Sequence, residues 1–334
     1  MHSSHLGIVK CKSRARETLF WPGMSSEVED IVSKCSICAQ HSNRNPKEPL
    51  VETEIPTRPW SIVSADLFEY KGQNYLLSVD HYSKWPELAK LDNMSSNNTI
   101  QYLKSQCSRY GIMDKLITDN GPRFASSEFN EFAKQYGFQH ETSSPHFPQS
   151  NGQAERCVQT VRNLLRKAND PYKALLDYRN TAIEEIKLSP TQMFLGRRLK
   201  TDLQTTAPLL TRDVTCSNYL KTRMRARQVK QKFYYDRHSG PSLKPLDQGD
   251  NVIMQKAKEN QWIPATISQQ HHNPRSYIVK TNDGRKYRRN RKHLRPTNAE
   301  FPIDLDHDDE PFIPTTEIQP RETFITADQQ QNAS

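Results

Sequence analysis

Between Trp60 and Glu155 the chain runs through three strand-like segments and then through strands that alternate with helices, an order that leaves few folds open. Ser61–Tyr70, Asn74–Asp80 and Glu87–Leu91 read as successive strands, with a turn signal at Lys71-Gly72 before the second. Asn97–Tyr110 has helical character and stops at Gly111, and Lys115–Thr118 is a short strand. Ser126–Tyr136 reads as a helix closed by Gly137, followed by a strand at Phe138–Thr142. Pro145 and Pro148 interrupt the chain, and Ser150 then opens a long helix, with Gln153 completing a capping box. The pattern predicts a mixed α/β sheet.

The flanks differ in texture. Of 334 residues only 34% are hydrophobic and 21 are proline, which suits several small domains better than one large core. Residues 6–19 and 26–34 read as short helices, the second with Ser26 and Glu29 as a capping box. Asn43–Pro59 has no apolar period and reads as a linker. Asp213–Tyr235 is a strongly basic helical segment. Asp247–Arg295 returns to short strands broken by Gly249, Pro264, Pro274 and Asp283-Gly284, which predicts a small β-barrel. From Ala299 onward the chain carries nine acidic residues and one basic, and is expected to be disordered.

The net charge of +9 therefore leaves +17 on the first 298 residues. So basic a body suits a polyanion partner, because lysine and arginine displace counterions from phosphates. No run of about 18 apolar residues exists, so no membrane span is expected, and the N-terminus is too polar for a signal peptide. An intracellular protein is the expectation, and its six cysteines are then not a disulfide framework.

Three acids stand out by position. Asp66 sits on the first strand among Ile62, Val63, Ala65, Leu67 and Phe68, where a carboxylate is costly unless paired or holding a metal. Asp119 directly follows the apolar Leu116-Ile117, at a strand end. Glu155 falls in the second turn of the helix opened by Ser150, with 35 residues between it and Asp119. Three convergent carboxylates are what a pair of Mg²⁺ or Mn²⁺ ions needs to hold the attacking and leaving oxygens of a phosphodiester. Taken singly, each acid reads equally as a cap or turn residue, and Asp80 also ends an apolar strand.

A second constellation lies at the N-terminus. His2, His5, Cys35 and Cys38 form a His-x2-His, 29-residue, Cys-x2-Cys arrangement, the ligand types and number of a closed structural Zn²⁺ site. Cysteines 11, 107, 157 and 216 lack such spacing and read as ordinary thiols.

Several motifs agree in order and spacing. Trp60–Asp66, Ser78-Val79-Asp80-His81-Tyr82-Ser83-Lys84-Trp85-Pro86-Glu87, Thr118-Asp119-Asn120-Gly121-Pro122-Arg123-Phe124 and Ser144–Arg156 resemble the core of gypsy-type LTR retrotransposon integrases. Tyr178-Arg179-Asn180-Thr181 and Ser189-Pro190-Thr191 through Gly196-Arg197-Arg198 resemble the same family, as does the zinc segment with Phe20-Trp21-Pro22-Gly23-Met24. The resemblance implies an RNase H-like core whose catalytic triad is Asp66, Asp119 and Glu155, and leaves Asp80 outside it. In that family further chain precedes the first histidine, whereas His2 here follows Met1, so a piece of a longer polyprotein is expected.

The expected organisation is a zinc-binding helical domain (1–45), a linker (46–56), an RNase H-like catalytic core with a mixed five-stranded sheet (57–205), a basic linker helix (206–243), an SH3-like barrel (244–297) and an acidic tail (298–334). Arg156, Gln159, Arg162 and Arg166 on the helix after Glu155 are candidate DNA contacts, Gln159 sharing a face with Glu155 and Arg162. Arg288, Arg289, Arg291 and Lys292, within a run of seven basic residues at 285–295, are others, in a segment resembling the family's C-terminal DNA-binding domain. The implied reaction is trimming of element DNA 3′ ends and strand transfer to target double-stranded DNA, by a homo-multimer in the nucleus. A domesticated, non-catalytic DNA-binding protein is the alternative, and a nuclease that only cuts is a second.

Overall fold

The computed structural model describes residues 2–18, 20–143, 152–213, 217–256, 261–299 and 301; within these, the side chains of residues 152–155 and 217 are not described. The expected acidic tail from residue 302 on and the Ser150 capping box therefore lie outside the described residues, while Ala299 and Phe301, expected to be disordered, pack beside Ile253 and Trp262.

At the N-terminus α1 (Ile8–Thr18), α2 (Met24–Ser33) and α3 (Ser36–Gln40) enclose Cys11, Ala15, Met24, Val28 and Val32, with Leu6 and Trp21 at the edge. The buried positions recur every fourth residue, as one face of a helix requires. So few apolar side chains are a meagre core for a domain of this size. The expected Ser26–Glu29 capping box does not form. Helix α2 starts earlier, at Met24, behind Gly23 in left-handed backbone at φ 85°. Ser26 Oγ instead donates to the Gly23 carbonyl at 2.8 Å, and Glu29 pairs with Lys12. The turn, not a side-chain cap, sets the helix start.

The central sheet comprises β1 (Ile62–Tyr70), β2 (Gln73–Asp80), β3 (Pro86–Leu91), β4 (Lys115–Thr118) and β5 (Gln139–Thr142) in the order β3-β2-β1-β4-β5. The first three pair antiparallel, while β4 and β5 join parallel, so the sheet is mixed as expected. Helices α4 (Ser96–Tyr110) and α5 (Ser127–Tyr136) cover one face, burying Ile100, Leu103, Phe129 and Phe132 against Val63, Ala65, Leu76 and Leu116. On the other face α6 (Gly152–Lys167) sets Cys157, Val158 and Val161 against Phe68, Leu77 and Val79. Alternation along β1 thus sends odd residues to α4 and α5 and even ones to α6. Helices α7 (Pro171–Asn180) and α8 (Pro190–Leu195) complete the layer.

After the short α9 (Ala207–Leu210), the basic segment forms α10 (Ser217–Asp236), which buries Leu220 and Met224 against Tyr82, Ile186 and Met193. The remaining strands are β6 (Asn251–Gln255), β7 (Trp262–Gln270), β8 (Ser276–Thr281), β9 (Lys286–Asn290) and β10 (Leu294–Pro296). They make a five-stranded antiparallel sheet ordered β10-β6-β7-β8-β9, around Val252, Met254, Ile267, Val279 and Leu294.

Residues 46–56 have no regular structure, yet they are closely held. Leu50 N–H donates to Asp236 Oδ1 at 2.7 Å, and Lys232 Nζ to the Leu50 carbonyl at 2.6 Å. Buried Glu48 accepts from Leu243 N–H at 3.1 Å and lies 3.4 Å from Arg275 Nε. The zinc-domain end docks likewise: Trp262 Nε1 donates to the Ser42 carbonyl at 2.7 Å, and Asn45 Nδ2 to the carbonyls of Lys292 and Leu294, each at 2.9 Å.

Three elements of the core meet at Glu87, a buried acid on β3. Its Oε1 accepts from Arg109 of α4 at 2.7 Å; Oε2 accepts from Arg179 of α7 at 3.0 Å and from Tyr110 at 3.2 Å. Arg179 also donates to the Pro86 carbonyl at 2.7 Å and lies over the Trp85 ring, 4.2 Å from its centroid. The two arginines are not equivalent, since the Arg109 side chain is 48% exposed and that of Arg179 only 19%. Removing the carboxylate leaves the Arg179 charge without its compensating partner in a desolvated place. Glu87→Gln should therefore lower stability by about 3 kcal/mol, and Arg109→Gln by less than about 1 kcal/mol. Urea midpoints check this, and equal losses would show that Arg179 does not depend on the acid.

Candidate catalytic and metal-binding sites

The parallel ladder between β1 and β4 pairs Ile62 with Lys115, Val63 with Leu116 and Ser64 with Ile117. Counting on by two residues in each strand sets Asp66 level with Asp119, which directly follows β4. Adjacent strands lie about 4.8 Å apart, so the two backbones bring these carboxylates to one place. By the alternation of β1, Asp66 belongs to the face covered by α6, where it is half-buried. Glu155 lies on α6, three residues before buried Val158, and the expected helix start at Ser150 lies outside the described residues. Its side chain is outside the described residues, and the structure brings together the two aspartates and the helix that carries the glutamate.

Hydrogen bonds hold the Asp119 carboxylate and the strand residues beside both aspartates. Asp119 is exposed, and its Oδ1 accepts from Gly121 N–H at 3.2 Å. A Cβ on Gly121 would sit 3.1 Å from Oδ1 and 3.3 Å from Oδ2, so the Asp-Asn-Gly sequence leaves that carboxylate open. Among the described residues no ion pair to Asp119 is found, and an open carboxylate suits a hard cation. Thr118 Oγ1 donates to the Asp119 carbonyl at 2.8 Å and is hydrogen-bonded to His140 Nε2 at 2.9 Å. Burial pushes the His140 pKa down to about 4, so the ring is neutral at physiological pH. On the other strand, Ser64, two residues before Asp66, is hydrogen-bonded to His81 Nε2. Burial, then the charges of Lys84 and Lys115, lowers the His81 pKa to about 3. Reading the sequence missed both histidines as supports, because nothing local to them reveals the partner strand.

Asp80 is a structural acid, as the resemblance implied. Fully buried, it accepts from Trp60 N–H at 3.0 Å, Tyr82 N–H at 3.2 Å, Ser83 N–H at 2.9 Å and Ser83 Oγ at 2.5 Å. Desolvation raises its pKa, and these four donors act against that rise.

The basic candidates divide. Gln159 and Arg166 are exposed on α6. Arg162 is half-buried, its guanidinium over the Phe68 ring at 5.2 Å. Arg156 faces α10: with the Gln231 amide oxygen turned toward it, Nη1 and Nη2 donate at 3.0 and 3.1 Å. The C-terminal cluster needs a correction, since Arg288, Arg289 and Arg291 are buried, with donors directed to the protein. Arg288 donates to Thr142 Oγ1 and to the Thr142 carbonyl, both at 2.7 Å, and to Ser276 Oγ at 3.1 Å. Arg291 donates to the carbonyls of Lys244 at 2.7 Å and Leu294 at 2.5 Å. Arg289 donates to the Arg288 carbonyl at 3.2 Å. Burial lowers the pKa of Arg288 to about 10 and that of Arg291 by direction. In this arrangement these three hold the C-terminal sheet together and to the end of β5; Lys292 remains half-exposed.

The histidine–cysteine group assembles as the spacing predicts. The donor atoms of His2, His5, Cys35 and Cys38 all lie within 4.8 Å of one another. Cys38 Sγ is 3.3 Å from His2 Nε2, and Cys35 Sγ is 3.4 Å from His5 Nδ1. Tetrahedral Zn²⁺ with usual bond lengths sets S and N ligands about 3.6 Å apart, so this donor set fits the ion. Cys11, read as an ordinary buried thiol, donates to the Leu6 carbonyl at 3.1 Å and lies 3.7 Å from His2 Nδ1, behind the ligand. With burial and the neighbouring Cys35, the Cys38 thiol is pushed up to about 11 without a cation beside it. Cys38→Ser should cut bound zinc from about one ion per chain to under about a tenth and unfold the helices around Cys11. Zinc analysis and circular dichroism check this; unchanged helicity after chelation would count against the site.

Residues 56–148 match the family "Integrase core domain" and residues 1–44 the "Integrase zinc binding domain". An uncharacterized protein of Caenorhabditis elegans, K02A2.6, is 29% identical over 80% of this chain and 22% of its own length. The Transposon Tf2-3 polyprotein of Schizosaccharomyces pombe is 31% identical over 48% of this chain and 13% of its own length. The chain thus spans about a fifth or less of the length of these relatives. In fold it resembles a chain of the simian T-cell lymphotropic virus intasome solved in complex with PP2A regulatory subunit B56 gamma. That likeness has a TM-score of 0.57 and 17% identity, and covers 89% of this chain and 97% of the other. The segments that hold the level aspartates and the zinc ligand set are thus the ones that match the integrase core and integrase zinc-binding families, and over 48% of its length the chain is similar to a transposon polyprotein.

Proposed function

We propose that this chain carries out DNA integration: metal-dependent trimming of element 3′ ends, then attack of the new 3′-hydroxyl on target DNA. The observation that carries this is the level placement of Asp66 and Asp119 beneath the helix bearing Glu155. Two Mg²⁺ or Mn²⁺ ions held by these acids would neutralise and align the attacking and leaving oxygens of the phosphodiester. The chain's own part is positional. Gly121 N–H orients the Asp119 carboxylate, and the buried neutral His81 and His140 hold Ser64 and Thr118 beside the two aspartates. Exposed Gln159 and Arg166 on α6 offer donors for DNA phosphates, with Lys280, Arg285, Lys286 and Lys292 among the accessible cations of the C-terminal sheet.

The same proposal extends to four further properties of the chain. They are an SH3-like curvature of the second sheet, domains bounded at residues 45, 56, 205, 243 and 297, action as a homo-multimer on paired double-stranded DNA ends, and a nuclear site of action. No helix among the described residues is long and apolar enough to cross a membrane.

Strand transfer with a labelled donor duplex and Mn²⁺ tests the proposal. Glu155→Gln should reduce joining roughly a thousandfold, because a neutral amide removes several kcal/mol of charge stabilisation, while duplex binding stays within about twofold. Joining by this variant at the parent rate would refute the triad. Duplex binding without joining by the parent chain would favour a non-catalytic binding protein, and cleavage without joints a nuclease.

A further inference from the structure

Helix α10 has two unlike faces. Leu220 and Met224 are buried against Tyr82, Ile186 and Met193. On the opposite side Thr222, Ala226, Val229 and Phe233 follow one another at intervals of four, three and four, and so form a single stripe along the helix. All four are exposed, Val229 to 57% and Phe233 to 63%, and Tyr234 beside them to 55%. The Phe233 and Tyr234 rings meet edge to face, with 5.6 Å between centroids. Apolar side chains grouped in this way on a surface mark an interaction site, whereas single ones need no explanation.

Cations flank the stripe. Arg225 lies on one side of it and Arg223 and Lys230 on the other, all three exposed. The helix holds six lysines and arginines against a single acid, Asp236. Lys221 and Arg225 are four apart, a spacing at which like charges cost helix stability. Whatever covers this face must therefore be both apolar and acidic. A second copy of α10 would set like charges against one another. Duplex phosphates would satisfy the cations but offer Val229 and Phe233 no apolar partner.

One stretch of the chain has the required character. Between Asp304 and Ile318 stand six acids and no lysine or arginine, together with Leu305, Phe312 and Ile313. These residues lie outside the described ones, but the point from which they depart is fixed. Phe301 packs beside Trp262, whose Nε1 donates to the Ser42 carbonyl. Five positions after Ser42, Lys47 Nζ lies 3.3 Å from the centroid of the Tyr235 ring on α10. Five residues span at most about 18 Å, and the eleven steps from Phe301 to Phe312 about 40 Å, so the end of α10 is within reach. The stripe itself is only about 17 Å long at 1.5 Å per residue.

We propose that residues 304–318 dock along the exposed face of α10 in the same chain. Phe312 and Ile313 cover Val229 and Phe233, and the acids meet Arg223, Arg225 and Lys230.

Photocross-linking of the zinc-loaded full chain, with benzoylphenylalanine in place of Phe312, tests the contact. Cross-links should fall within residues 219–237 and join positions of one chain, which a mixture of isotopically light and heavy chains reads directly. Val229→Asp and Phe233→Asp should each cut the yield at least about fivefold, since each removes apolar contact and adds a repelling charge. Arg225→Gln combined with Lys230→Gln should lower it about threefold, because exposed ion contacts are singly weak. Lys134→Gln, on the exposed side of α5, should leave it within about twofold of the parent. Every altered side chain is exposed, so the variants keep the fold, and equal circular dichroism spectra check this. Cross-links that join two chains, or a yield that Val229→Asp and Phe233→Asp leave unchanged, would overturn the proposal. It also falls if α10 takes no cross-link while Phe233→Asp weakens duplex binding, which would make the face a DNA surface.

Discussion

The parallel pairing of β1 with β4 is the constraint on which the rest of this molecule depends. Side chains alternate across a strand, so a register slip of one residue would carry Asp66 to the opposite face from Asp119. The register is protected because Val63 and Ala65 must stay on the side of α4 and α5, and Phe68 on that of α6. Apolar packing on both faces thus fixes where two hydrophilic groups meet. Helix α6 follows from the same arrangement: Val158 and Val161 bind it to the sheet, and residue 155, three positions before Val158, is carried with it.

Reading the sequence recovered the features that depend on neighbouring residues. The strand Lys115–Thr118 and the helix ends at Gly111 and Gly137 are local signals, an apolar run and a glycine that releases the backbone, and the structure has them where expected. The paired histidines and cysteines were legible for the same reason, since ligand spacing is a short-range property. What escaped the sequence was set by distant partners. The start of α2 is decided by the left-handed turn at Gly23. Residues 46–56 look like an open connection, yet partners almost two hundred positions later hold them. The motifs alone showed Asp80 to be outside the triad, but not that its carboxylate ties Trp60 to the β2–β3 turn.

Charge tells a related story. A body carrying +17 invites the picture of a surface wholly given to DNA. The structure divides that charge between inside and outside. Arg179, Arg288 and Arg291 are withdrawn from water, with burial lowering the pKa of each, and their planar donor forks satisfy backbone carbonyls and a carboxylate. Arginine suits this internal use because it holds several donors in one rigid plane and remains charged when desolvated. The exposed cations include Arg166 and Lys167 on α6, Lys221, Arg223, Arg225 and Lys230 on α10, and Arg285 and Lys286 beside β9. Salt dependence of DNA binding would count those exposed cations rather than all of them.

The contacts of Asn45 with the carbonyls of Lys292 and Leu294 join positions about 250 residues apart. Synthesis at roughly 5–20 residues per second separates the emergence of these two partners by some tens of seconds. During that interval the zinc-binding end has left the ribosome while the surface that receives it does not yet exist. Its own small core and metal must keep it folded, and the Trp262 indole that later meets Ser42 arrives only near the close of the wait. Assembly of the three parts is therefore ordered in time by the chain itself, with local folding first and long-range closure last.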